Sequence, residues 1–191
     1  VKIVLVKKDS NGFVSSSNGG EHSLTNGGKI VFEANSFALD GNEYNGQVKI
    51  SAYYLDPTEP DFLLRSPGDL SAINTSNQLV SLQSFGMMAV ELEGESGEKL
   101  NISSGKTATI HVPVPDGLMA DAVSEIPLWH FDTDADRWVE EGTATLSGNE
   151  YIGEVSHFSW WKCDIPFEYT TLCLTFVDET STPVQGLWAT L

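Results

Sequence analysis

The segment Val155-Ser156-His157-Phe158-Ser159-Trp160-Trp161 places a potential base and a potential nucleophile on either side of Phe158. That order suits one reaction, cleavage of the chain at its own Phe158–Ser159 bond. Ser159 Oγ would attack the Phe158 carbonyl carbon, giving an ester by an N→O acyl shift, while His157 takes the hydroxyl proton. Water would then hydrolyse the ester and leave Ser159 as a new N-terminus. In a regular strand His157 and Ser159 share a face, but their α-carbons are about 6.6 Å apart. Proton transfer needs heavy atoms about 2.6–3.2 Å apart, so the fold would also have to distort the peptide bond. The other reading is a core strand. Val155, His157 and Ser159 then line one face, Phe158 and Trp160 fill the other, and His157 is a hydrogen-bonded structural residue.

A second candidate is Asp132-Thr133-Asp134-Ala135-Asp136, whose alternating carboxylates are similar to the start of a calcium loop. Arg137 follows where such a loop wants Gly, and Thr143 holds the twelfth position where Glu belongs. A polar hairpin turn between two aromatic strands explains the run as well. Trp129, Trp138, Trp160, Trp161 and Trp188 could stack on sugars, although core packing is the default for tryptophans beside apolar neighbours. His22, His111 and His130 have no sequence spacing to a carboxylate or second ligand that suggests a metal or a triad. No Gly-rich phosphate loop is present. Cys163 and Cys173 either bridge a hairpin or remain free thiols, and neither has a Cys/His pair at zinc spacing.

The elements that must position these residues belong to a chain of 191 residues with 40% apolar content, enough for one packed domain or one domain and a fragment. Acidic residues outnumber basic ones 27 to 10, a net charge of −17. Phosphate backbones and anionic membranes repel such a chain, so nucleic acid is not an expected partner. Divalent cations, neutral sugars and proteins remain. No apolar run approaches the ~18 residues of a membrane helix. A start at Val1 rather than Met points to processing or trimming.

Alternating patterns predict strands at Lys2–Lys7, Lys29–Ala34, Gly46–Leu55, Leu79–Leu82, Gly86–Glu93 and Thr107–Val114. Further strands are expected at Pro127–Phe131, Arg137–Glu141, Thr143–Leu146 and Glu150–Trp161. Val48, Ile50, Ala52 and Tyr54 share one face. Ala108, Ile110, Val112 and Val114 share another, with His111 outward. Asp9 to Gly28 reads as a polar loop, Ser66–Asn77 as an irregular excursion with one helical turn after Asp69, and Asp116–Glu125 as a short helix capped by Asp116. Asp164-Ile165-Pro166 reads as a linker. Thr170–Val177 and Val184–Leu191 form a hairpin pattern. Short strands with tight turns predict an all-β antiparallel sandwich. The expected organisation is a leading strand and loop over 1–25, the sandwich over 26–164, and a linker with the first hairpin of another β domain over 165–191.

Four stretches carry a family resemblance: Asn26–Phe37, Ile126–Asp132, Trp138–Ala144 and Val155–Trp161. Together they resemble a module of Bacteroidetes-type secreted or surface proteins that sits between carboxypeptidase-regulatory-like β domains. Leu172–Leu191 resembles the opening of such a domain, and Lys2–Lys8 the last strand of a preceding one. The resemblance implies an extracellular or cell-surface location, with anchoring, including lipid anchoring, through an upstream segment. It also implies neighbouring β domains in the same polypeptide, an architectural or binding role toward protein or glycan, and no established activity. Gly27-Gly28 and the aromatic final strand are also similar to the ZU-type β-sandwich of ankyrins and netrin receptors. Some relatives of that domain cleave themselves within a His-Phe-Ser motif, which implies a role for His157, Phe158 and Ser159.

Overall fold

The computed structural model describes residues 10–169, 175–184 and 186. Among them are fourteen strands: β1 (Gly12–Ser15), β2 (Gly20–Ser23), β3 (Lys29–Phe32), β4 (Phe37–Leu39), β5 (Asn42–Glu43), β6 (Gln47–Leu55), β7 (Ser71–Ile73), β8 (Leu79–Glu93), β9 (Lys99–Ile102), β10 (Ala108–Pro113), β11 (Glu125–Asp132), β12 (Arg137–Ser147), β13 (Glu150–Val155) and β14 (Trp160–Glu168). A short helix α1 (Phe62–Arg65) precedes β7. The fold is an all-β antiparallel sandwich, as the patterning predicts. One parallel contact, β7 with β12, departs from that rule.

Alternation decides what each strand buries. Val48, Ile50, Ala52 and Tyr54 are buried on β6, and Ala108, Ile110 and Val112 on β10. They join a main core with Phe37, Phe85, Met88, Leu128, Tyr151, Trp161 and Cys163. The opposite face of β8, β11 and β12 carries a second core of Leu82, Met87, Trp129, Phe131 and Trp138, covered by Phe62 of α1 and Ala72 of β7. Trp129 and Trp161 therefore serve different cores although their strands are neighbours.

Several sequence expectations are corrected. The segment read as a polar loop contains β1, paired with β6, and β2, paired with β3. Strand β7 lies within the excursion at Ser66–Asn77, and the helical turn comes before Asp69 rather than after it. Leu79–Leu82 and Gly86–Glu93 form one strand. After Pro115 there is only a 3-10 turn, Asp116–Leu118, with no cap from the Asp116 side chain. Asp164-Ile165-Pro166 is not a linker but the middle of β14, paired with β8. Proline is tolerated there because Pro166 faces Leu82, whose N–H points away to the Leu70 carbonyl. The missing donor therefore interrupts no ladder bond.

The largest correction concerns Glu150–Trp161, which is two strands. β13 pairs with β10 and β12, whereas β14 pairs with β11 and β8. The order β13-β12-β11-β14 obliges residues 156–159 to cross the two intervening strands. Three inter-strand spacings amount to about 14 Å, and five extended steps reach about 16–17 Å, so the connection has little slack. Lys2–Lys7 lies outside the described residues, as do parts of both arms of the expected C-terminal hairpin. Its described centre turns as expected, with Val177 bridged to Pro183 and Asp178 accepting from the Thr180 and Thr182 N–H groups.

Candidate functional site

The crossing segment brings His157 over two strands that carry a histidine and a glutamate. His130 lies on β11 on the same face as Leu128, and Trp161 of β14 stands opposite it. Glu141 lies on β12 at a bulge, where Glu141 and Gly142 together oppose Leu128 between the Trp129–Glu140 and Pro127–Thr143 pairs. Gly142 takes φ 84°, a left-handed conformation that glycine adopts without a Cβ penalty. Such a bulge re-aims the neighbouring side chain. Here the Glu141 side chain meets both imidazoles.

His157 Nε2 is 3.3 Å from Glu141 Oε2, and His130 Nε2 is 3.4 Å from the same oxygen. The other carboxylate oxygen accepts from Ser156 Oγ at 2.9 Å. The imidazoles meet edge to face with centroids 4.8 Å apart. Beneath them lies the Trp161 indole, 5.5 Å from the His130 ring and 5.0 Å from the His157 ring. Trp161 Nε1–H donates to the His157 carbonyl at 3.0 Å, pinning the crossing segment to the core. The side chains of His130, His157 and Glu141 are 17%, 31% and 42% exposed, so the cluster has a buried floor and an open top.

Burial, followed by the charge of His157, lowers the His130 pKa against the opposing pull of Glu141 and Asp132. Burial raises Glu141, but the Ser156 hydrogen bond and the two histidines outweigh it, and the carboxyl stays ionised below its usual range. Two imidazoles and a carboxylate converging on one point can hold a proton or a cation. Among the described residues these are the three His, Cys, Asp or Glu side chains whose ligand atoms all lie within 4.8 Å of one another.

The sequence-predicted residues fall out differently. His157 faces Glu141 rather than Ser159, and Ser159 Oγ donates to the Trp160 carbonyl at 3.2 Å. The Phe158 N–H donates to Asn101 Oδ1, the Ser159 carbonyl accepts from Val90, and the Phe158 ring packs on Phe32. Asp132 caps its own turn, accepting from the Asp134 and Ala135 N–H groups, and Asp132, Asp134 and Asp136 do not converge at ligand distance. Trp129, Trp138 and Trp161 are buried and offer no sugar platform. Trp160 is half-buried against the second core, and Trp188 lies outside the described residues. Cys163 is a free buried thiol, and Cys173 lies outside the described residues.

Two histidines have carboxylate partners that sequence spacing concealed. His111 meets Glu150 at 2.8 Å across β10 and β13, and His130 meets Glu141. Both partners are cross-strand neighbours. The expected hairpin supplied a signal for the second pair: with Asp132 opposite Arg137, His130 falls opposite Val139 and diagonal to Glu141.

No family model and no solved structure matches the chain. Curated sequences do match. The chain is 30% identical over 117 residues to cartilage intermediate layer protein 1 of Sus scrofa, covering 60% of this chain and 19% of that protein. It is 28% identical over 123 residues to cartilage intermediate layer protein 2 of Mus musculus, covering 63% of this chain and 10% of that protein. A 107-residue match to the human protein 1 is 31% identical and covers 56% of the chain and 9% of that protein. The chain therefore spans a fifth or less of the length of these relatives, and it is similar to one portion of each.

Proposed function

We propose that the chain is a non-enzymatic module of a larger extracellular or surface protein, with an architectural or binding role beside neighbouring β domains. The observation that carries this reading is the similarity to a small part of proteins named for cartilage, a tissue built mainly of extracellular matrix. The commitment of β-strand side chains to two cores agrees with it. No helix among the described residues is long and apolar enough to cross a membrane. The carboxypeptidase-regulatory-like neighbours and an upstream anchor belong to the same proposal. Protease shaving of intact cells that make the parent protein, followed by immunoblotting for this module, tests it. Loss of the band without lysis is expected, whereas a band protected until lysis would place the module inside the cell.

Self-cleavage at Phe158–Ser159 is a second reading of the same segment. The bond lies in an irregular connection rather than a ladder, which favours it. Cleavage would require His157 to leave Glu141 and Ser159 Oγ to leave the Trp160 carbonyl. Intact-mass measurement over days at neutral pH separates the readings: one uncut species supports the non-enzymatic module, and fragments ending at Phe158 that Ser159→Ala abolishes support cleavage.

A further inference from the structure

We propose that His130, Glu141 and His157 bind a divalent transition metal, zinc in particular, through two imidazole nitrogens and one carboxylate oxygen, with water in the fourth position. Distances favour a tetrahedral ion. With metal–ligand bonds of about 2.0–2.1 Å, two ligands of a tetrahedron are about 3.3–3.4 Å apart, whereas adjacent ligands of an octahedron at the same bond length are about 2.9 Å apart. The two Nε2–Oε2 separations are 3.3 and 3.4 Å. Two of the three ligand edges thus already have tetrahedral spacing. The third, between the two imidazoles, lies within 4.8 Å.

Ligand chemistry selects the ion. Calcium and magnesium require oxygen donors, and two imidazoles disfavour both. Zinc accepts this donor set and commonly keeps a water where the protein supplies three ligands. The open top of the cluster leaves room for that water. Ser156 holds the second carboxylate oxygen, and the Trp161 indole fixes the plane on which both rings rest. Supports of this kind orient the ligands. The net charge of −17 raises the local concentration of cations in general.

The consequence is mechanical. One ion would join β11, β12 and the taut crossing segment, strapping the β13–β14 connection to the sheet. This inference is independent of the module's location, so neither stands or falls with the other.

The test is zinc titration of chelator-stripped chain against a chromophoric zinc competitor, with cobalt absorption reporting coordination number. Wild type should bind one equivalent, show four-coordinate cobalt bands and melt at a higher temperature with zinc. His130→Ala, Glu141→Gln and His157→Gln should each weaken binding at least tenfold. His111→Ala, which breaks the two-member His111–Glu150 pair, should leave it unchanged. His157→Gln lies on the connection between strands, so its urea melt shows whether lost binding reflects lost folding. Binding by His157→Gln equal to wild type, or no binding by folded wild type, would overturn the proposal.

Discussion

Two polar clusters occupy opposite faces of the same sheet and face opposite physical problems. On the second core's side, Lys162 and Asp164 of β14 form an ion pair at 3.0 Å with both side chains fully buried. The Lys162 ammonium lies 4.0 Å from the Trp138 ring centroid, but neither it nor the Asp164 carboxylate oxygens have a well-directed hydrogen bond. On the main core's side, His130, Glu141 and His157 share an open-topped cluster whose carboxylate is also held by Ser156. Burial dominates the first cluster and geometry the second. A buried pair specifies which partners must meet, at a large desolvation cost. A half-open cluster costs less and remains available to a ligand.

The largest predicted effect breaks the buried pair. Burial raises the Asp164 pKa and lowers that of Lys162, against their mutual attraction. A raised carboxyl loses stability as pH rises above its unfolded value, and a lowered amine loses stability as pH falls below its own. At neutral pH both costs are present. Asp164→Ala, which strands the ammonium, should cost about 3–5 kcal/mol in urea unfolding. Lys162→Met combined with Asp164→Leu should be neutral or stabilising. Equal losses in the single and double variants would mean that the ion pair itself holds the fold.

A smaller effect is expected at the floor of the open cluster. Trp161→Phe keeps most of the packing but removes the indole N–H that donates to the His157 carbonyl. It should cost about 1–2 kcal/mol and weaken zinc binding through a looser crossing segment. Unchanged zinc affinity would separate the strap from its floor.

In metal-free protein Glu141→Gln should cost less than about 1 kcal/mol by urea unfolding, because the carboxylate is substantially solvated. A loss as large as that of Asp164→Ala would erase the contrast between the clusters.

The smallest effect is one of pH. His130 has a lowered pKa in the folded state. The metal-free chain should hold its stability above the unfolded histidine value of about 6.5 and lose some as pH falls below it. Urea midpoints measured downward from pH 7.5 should show this decline, and His130→Gln should flatten it.

The same contrast explains what the sequence could reveal. Val48 to Tyr54 and Ala108 to Val112 declare their strands because one face is buried and the other is not. β1 and β2 carry little strand signal because Phe13 and Val14 are the only large apolar residues in two short strands of a Gly/Ser-rich stretch. Val155–Trp161 looked continuous because both halves are apolar, and periodicity does not record a change of partners. Asp164 and Pro166 resemble a linker because a buried aspartate needs a partner, and nothing local marks Lys162 as that partner. The His130–Glu141 contact was encoded in the hairpin register, but the third member depended on where the crossing segment landed. That position follows from strand order, which no local pattern specifies.

The most direct measurement is diffraction above and below the zinc absorption edge from crystals of the chain grown with zinc. One anomalous peak is expected about 2.0–2.2 Å from a nitrogen of His130, a nitrogen of His157 and an oxygen of Glu141. No peak at that position, or a peak only among Asp132, Asp134 and Asp136, would contradict the assignment.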